Sequence, residues 1–321
     1  MTGVIPLAEK DITSKTLESH NSVFADIVNC LLFNGETVIK EDELTLAEKS
    51  SQYKADGNIY SQERDVSKFW MNSNINIAFI GIENQSAPDE FMPLRIMNYD
   101  GAVYRDQYKN RNKNPNKKCY PVITLVIYFG KDEWKYGKNL HSCLDVPEKL
   151  LPFVSDYSMN FYSIKDMSAG QIELFKSDFK AIAEFFYALN NRTVYHPTEQ
   201  VLDYPEEVID MISIFSGDER FRNEYNSMNG KGGITMCEIY DQILKEGEAK
   251  GRAEGEAKGR AEGEAKGRAE GEAKGRAEGE AKGFLKALIG LVKDGILTLA
   301  DAAKRAGMTV EEFEAESGLK A

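Results

Sequence analysis

At 321 residues the chain exceeds one ordinary domain, and its 42% apolar and 10% aromatic content argues for a packed core rather than a disordered protein. A net charge of −12 excludes a surface that is basic overall, so any nucleic-acid contact has to come from a local patch. No run approaches the roughly 18 apolar residues of a membrane-spanning helix, and the first residues carry no signal-peptide core. The four cysteines, Cys30, Cys119, Cys143 and Cys237, are scattered without a C-x-x-C pair. The expectation is a cytoplasmic protein with reduced, mostly buried thiols and neither a zinc site nor a disulfide frame.

Residues 1–19 are polar and are expected to be loosely ordered. Phe24, Ile27, Val28, Leu31 and Leu32 then recur at helical spacing over Asn21 to Phe33, and Gly35 ends that helix. Residues 36–60 hold Thr37-Val-Ile39 and a polar stretch that fixes no element. Asp65 stands at the head of a strand-like segment running to Trp70. After Asn72-Ser-Asn-Ile-Asn76 comes Ile77-Ala-Phe-Ile-Gly-Ile-Glu-Asn-Gln85, a short apolar run that reads as a buried strand. Alternation puts Glu83 and Gln85 on one face and Asn84 on the other. A carboxylate ending an apolar strand is costly unless it reaches water, a partner or a metal. A hairpin between the two segments brings Asp65 towards Glu83, and two converging carboxylates suit a hard divalent cation such as Mg²⁺. The spacing alone is weak, and a Glu in a surface ion pair explains it equally well.

Phe91 to Tyr108 is a helical pattern with Pro93 in its first turn. Lys109 to Lys118 is a loop of five positive charges with no acid, and Pro121 to Gly130 is rich in β-formers, as a central strand is. In this order, Ile82-Glu-Asn-Gln-Ser86, Met92-Pro-Leu-Arg-Ile-Met-Asn-Tyr-Asp100 and Pro121-Val-Ile-Thr-Leu-Val-Ile-Tyr-Phe-Gly130 resemble the recombination-promoting nuclease (Rpn), YhgA-like transposase family of bacteria. The resemblance covers roughly residues 20–220.

The resemblance implies an α/β fold, namely a PD-(D/E)XK restriction-endonuclease-like core whose mixed sheet is flanked by helices. It also implies a metal-dependent DNA endonuclease that hydrolyses phosphodiester bonds, with a link to recombination. Asp65 and Glu83 are then catalytic and hold Mg²⁺ or another divalent cation. Gln85 stands where that superfamily usually carries Lys. An amide does not titrate near neutral pH, so Gln85 orients water or phosphate and cannot act as a base. The first helix of such cores often supplies another acid, which makes Asp26 a candidate, with Asn29 beside it; a solvated helix face explains Asp26 as well. Arg95, Tyr99 and Tyr104 form a stripe that could face the carboxylates, or could merely border the core. Lys109, Arg111, Lys113, Lys117 and Lys118 are the candidates for DNA-backbone contact. The alternative is a nuclease-fold scaffold that binds DNA or a protein partner without cutting.

Further on, Met159 to Ile164 has strand character, and Gln171 to Asn190 reads as one amphipathic helix through Leu174, Phe175, Phe179, Ile182, Phe185 and Phe186. Another helix follows from Pro205 to Phe215. His20, His141 and His196 are far apart in sequence and form no metal motif. From Gly247 the octad Gly-Glu-Ala-Lys-Gly-Arg-Ala-Glu repeats four times and begins a fifth, ending at Gly283. Its only apolar residue is Ala and its period matches no coiled-coil heptad, so it reads as a solvated spacer rather than a stable helix. Phe284 to Val292, a Thr298-x-x-Asp301 cap and a Thr309-x-x-Glu312 cap mark three short helices, a helix-turn-helix-like module. The last is acidic, which favours self-association or a protein partner over DNA reading. The expected organisation is a flexible N-terminus (1–19), a nuclease-like domain (20–235), a charged spacer (236–283) and a helical module (284–321).

Overall fold

A computed structural model describes residues 16–47, 50–55, 58–63, 65–73, 75–111, 118–228 and 233–320. The chain divides into two compact units, Met1–Lys245 and Glu246–Ala321.

In the first unit helix α1 (Asn21–Phe33) buries Val23, Phe24, Ile27 and Val28. It stops where Asn34 and Gly35 both turn to positive φ (52° and 84°), which Gly tolerates without strain. Strand β1 (Leu44–Leu46) joins the main sheet, whereas β2 (Ser50–Ala55) and β3 (Asn58–Glu63) form a separate hairpin. Strands β4 (Val66–Asn72) and β5 (Ile75–Gln85) pair antiparallel with Val66 opposite Ile82, so the next step outward is Asp65 and Glu83. Helix α2 (Met92–Asn110), opened by Pro93, crosses over to β6 (Val122–Tyr128), which runs parallel to β5 with Glu83 beside Val126. Strand β7 (Asn160–Ser163) adds in parallel, giving the order β1-β4-β5-β6-β7. The result is an α/β unit built on a five-stranded mixed sheet.

The sheet's two faces are covered differently. Ile80, Ile82, Leu125 and Ile127 share a core cluster with α1 and with helices α4 (Phe179–Asn191) and α5 (Pro205–Ser216). Val126 packs instead with Met92 and Ile96 of α2, and Phe79 with Val122. Asp100 of α2, almost fully buried, accepts hydrogen bonds from the Thr124 hydroxyl (2.6 Å) and from the Tyr157 hydroxyl. Those bonds fix α2 against β6, a polar network that is stabilising only because it is paired.

Three expectations change. Residues 16–19 form a helical turn, with Leu17 and Glu18 both buried. The helix expected over 171–190 is broken into α3 (Ala169–Ile172) and α4. The break has a local cause: Asp26 Oδ2 accepts the backbone N–H groups of Lys176 (2.9 Å) and Ser177 (2.8 Å), a long-range acceptor competing with the helix ladder. All four cysteines are free, but only Cys30 is buried, and Cys119 is exposed.

After α6 (Arg220–Ser227), helix α7 runs unbroken from Met236 to Lys293, through the octad tract. The octad tract is thus helical here and exposed throughout, although its composition predicts no stable helix of its own. The tract contains no Pro and no β-branched residue. Both flanks are apolar helix: Met236, Ile239 and Ile243 are buried at one end and Leu288 at the other. The costly nucleation step is thereby supplied from outside the tract. In the second unit Leu288 packs with Ala302 and Ala303 of α8 (Leu299–Ala306) and Phe313 of α9 (Val310–Ser317). Thr298 and Thr309 cap these helices as their spacing predicts. Among the described residues no helix is long and apolar enough to cross a membrane.

Candidate active site at the end of strand β5

The site forms where β5 runs on past the end of its pairing with β4 while still paired with β6. Glu83 is 4% exposed and Asp65 is 7% exposed, so both carboxylates sit within the protein at the open end of the β4–β5 hairpin. Asp65 Oδ2 accepts the backbone N–H of Asn84 at 2.7 Å, which ties the head of β4 to β5. Gln85 Nε2 lies 3.5 Å from Glu83 Oε1, at the outer limit of a hydrogen bond. Arg95, one turn into α2, donates to the same Glu83 oxygen at 2.6 Å and to Asp89 Oδ2 at 2.9 Å. Its Nη2 is also 3.4 Å from the Tyr99 hydroxyl. Burial, reinforced by the charge of Glu83, holds the Tyr99 phenol above its usual range, so the hydroxyl that accepts from Arg95 there is neutral.

Sequence reading missed one member. Glu18, 0% exposed, accepts from Asn84 Nδ2 at 2.8 Å through Oε2, while its Oε1 has no hydrogen-bond partner. Burial raises its carboxyl well above the ordinary range; the Asn84 bond opposes that shift, and the charges of Asp65 and Glu83 add to it. Asn84 points away from Glu83, as alternation requires, and by doing so reaches this third acid. The only sequence signal was phase: Leu17 lies seven residues before Phe24, so the apolar face of α1 continues back past His20.

Lys68 of β4 anchors the turn that carries Glu18. Its ammonium, 1% exposed, donates to Ser19 O at 2.5 Å and to Asn21 Oδ1. Burial lowers this amine to about 8. The folded state therefore binds fewer protons than the unfolded state between about pH 8 and the ordinary lysine value near ~10.4, and stability rises with pH across that window. Urea melts at pH 7, 8.5 and 10 are expected to show the wild type gaining on Lys68→Met as pH rises. Parallel curves for the two proteins would contradict the buried amine.

The other candidates are distributed elsewhere. Asp26 caps the 176–177 turn, and Asn29 holds the backbone of Val38 and Ile39. The Tyr104 hydroxyl accepts from Val122 N at 3.0 Å, and Gln107 bonds both backbone groups of Tyr120. Both therefore sit at the entrance to β6, away from Glu83. Lys109, Arg111 and Lys118 are exposed at that same far end of α2, and a 19-residue helix spans about 28 Å. Lys113 and Lys117 lie outside the described residues.

Residues 68–210 match the family model described as "Putative transposase, YhgA-like". Over this stretch the chain is similar to the YhgA-like transposase family. No curated protein and no solved structure gives a match. The YhgA-like segment contains Glu83, Gln85, Arg95 and Tyr99 and begins just after Asp65, so Glu18 and Asp65 reach its site from outside the matched stretch.

Among the described residues no three His, Cys, Asp or Glu side chains converge closely enough to hold a metal ion as they stand. The donor chemistry suits a hard cation all the same. Three carboxylates interact electrostatically at the end of β5, and one buried carboxylate oxygen, Glu18 Oε1, lacks a partner. Such an arrangement costs stability. At pH 8, Glu18→Gln keeps an acceptor for Asn84 and removes the cost of burying an ionisable carboxyl, so the variant is expected to melt higher than wild type. A gain of ~1 kcal/mol reads as about 2–4 °C. A lower melting temperature for Glu18→Gln would mean that the carboxylate is compensated in the fold.

Proposed function

We propose that the first unit is a metal-dependent DNA endonuclease with a PD-(D/E)XK-type core, in which Asp65 and Glu83, assisted by Glu18, form the acidic centre. The observation that carries this reading is the cluster of buried acids at the end of β5, where Glu18 Oε1 has no hydrogen-bond partner, beside a YhgA-like segment. Order along the chain supports it as well: helix, antiparallel hairpin, crossover helix and parallel strand.

Asp65 and Glu83, with Glu18, are the residues that would hold Mg²⁺. Held there, Mg²⁺ would supply Lewis-acid polarisation of a phosphate and would make a bound water more acidic. Gln85, beside Glu83, orients a water or phosphate oxygen by hydrogen bonding, since an amide has no useful basicity. Arg95 and Tyr99 place a guanidinium and a neutral phenol next to the carboxylates, donors suited to a phosphodiester. The partner is DNA, approached through a local patch because the chain as a whole is acidic.

A second reading is a scaffold of the same fold that binds DNA or a protein without cutting. Gln85 and the separation of Lys109, Arg111 and Lys118 from the acids favour it. Reaction in H₂¹⁸O separates the possibilities. Hydrolysis places one solvent oxygen on each new terminal phosphate, strand transfer between DNA ends places none at the joint, and a scaffold gives no product at all.

A further inference from the structure

Arg95 ion-pairs with Glu83, the central residue of the acidic cluster, and holds a second carboxylate, Asp89, at the same time. Its Nη2 meets Glu83 Oε1 at 2.6 Å and its Nη1 meets Asp89 Oδ2 at 2.9 Å. The two carboxylates differ in setting. Glu83 is buried on the sheet, whereas Asp89 is partly exposed in the turn that opens α2, where its Oδ1 accepts the Phe91 N–H at 2.9 Å. Arg95 itself keeps 39% of its side chain exposed. It can therefore swing about a fixed outer anchor without disturbing the core.

We propose that Arg95 is a movable counter-charge that competes with a divalent cation for Glu83 and is held in reserve by Asp89. This rests on the nuclease reading above and adds a regulating element to it. Charge balance sets up this competition. Glu18, Asp65 and Glu83 crowd one end of β5, and a guanidinium at hydrogen-bond distance from Glu83 offsets part of that charge. A cation arriving at Glu83 has to displace that bond, which weakens its apparent affinity. Asp89 keeps the displaced guanidinium close by, one turn from Tyr99, where it is available to a phosphate oxygen. Charge competition also predicts opposite effects from the two ends of the bridge. Removing Arg95 takes its competing bond off Glu83, while neutralising Asp89 removes the rival carboxylate and strengthens the hold of Arg95 on Glu83.

The test is calorimetric titration of Mn²⁺ into the full-length protein, with no DNA present. Arg95→Gln is expected to bind Mn²⁺ about tenfold or more tightly than wild type, and Asp89→Asn to bind it more weakly. The double variant Arg95→Gln/Asp89→Asn should bind like Arg95→Gln, because Asp89 acts only through Arg95. A merely structural role for Arg95 weakens binding in all three. Equal or weaker binding by Arg95→Gln, in a protein whose wild type binds Mn²⁺, overturns the proposal and leaves the nuclease reading standing. Absence of binding in every protein, Arg95→Gln included, overturns both. Binding by Arg95→Gln alone supports the competition in its strongest form.

Discussion

Glu83→Ala and Asp65→Ala proteins are expected to fold normally and to lose metal-dependent DNA cleavage by more than about a hundredfold, beyond the roughly 10–100-fold that loss of a mere supporting partner costs. The fold survives because each change removes one charge from a crowded set. After Glu83→Ala, Arg95 keeps Asp89 and its exposed position, so no cation is stranded in the core. After Asp65→Ala the backbone N–H of Asn84 loses its acceptor, so a small loss of stability accompanies that variant. Gel assays of cleavage and circular-dichroism melts of the same preparations check both halves. Wild-type cleavage by either variant would show that the chemistry lies elsewhere. Loss of cleavage together with loss of fold would leave the Glu18→Gln variant as the cleaner probe.

Replacing the ten tract glycines from Gly247 to Gly283 by alanine is expected to convert a weak helix into a strong one. Each Gly costs about 0.8–1 kcal/mol relative to Ala in a helix interior, a total near ~8–10 kcal/mol. Against it stand four exposed i,i+4 pairs, Lys250–Glu254, Lys258–Glu262, Lys266–Glu270 and Arg276–Glu280. Each contributes about 0.2–0.5 kcal/mol at best, and all run in the less favourable order with the cation first. A Cβ added at any of these glycines meets nothing within 4 Å, so no clash offsets the gain. A wild-type peptide of residues 245–284 should show little helix by circular dichroism near room temperature, and its all-alanine counterpart should be largely helical. Full helicity of the wild-type peptide would mean that the tract needs neither flank.

How much of this was legible in the sequence depends on the length scale of each interaction. Strand alternation over Ile77 to Gln85 fixed the facing of Glu83, Asn84 and Gln85, and the register of the β4–β5 hairpin follows from the same two-residue period. The opening of α2 at Pro93 and the caps at Thr298 and Thr309 are equally local, and each falls where its spacing puts it. Glu18 was hidden because its hydrogen-bond partner Asn84 is 66 residues away and its own helical turn is only four residues long. Asp26 looked like a site residue for the converse reason: nothing near it in sequence reveals that its carboxylate caps a turn 150 residues later. The stripe drawn through Arg95, Tyr99 and Tyr104 failed at Tyr104 because α2 is long enough to carry its C-terminal half beyond the site, to the entrance of β6. The octad tract shows the same limit: its own composition disfavours a helix, and the buried apolar residues that flank it, such as Ile243 and Leu288, lie outside the repeat.

The most direct measurement is the nicking of supercoiled plasmid by the purified full-length protein as Mg²⁺ or Mn²⁺ is raised from zero. The account predicts no conversion in the presence of chelator and a saturable rise with metal that Glu83→Ala abolishes. Conversion that is independent of metal, or none at any concentration of either ion, would contradict it.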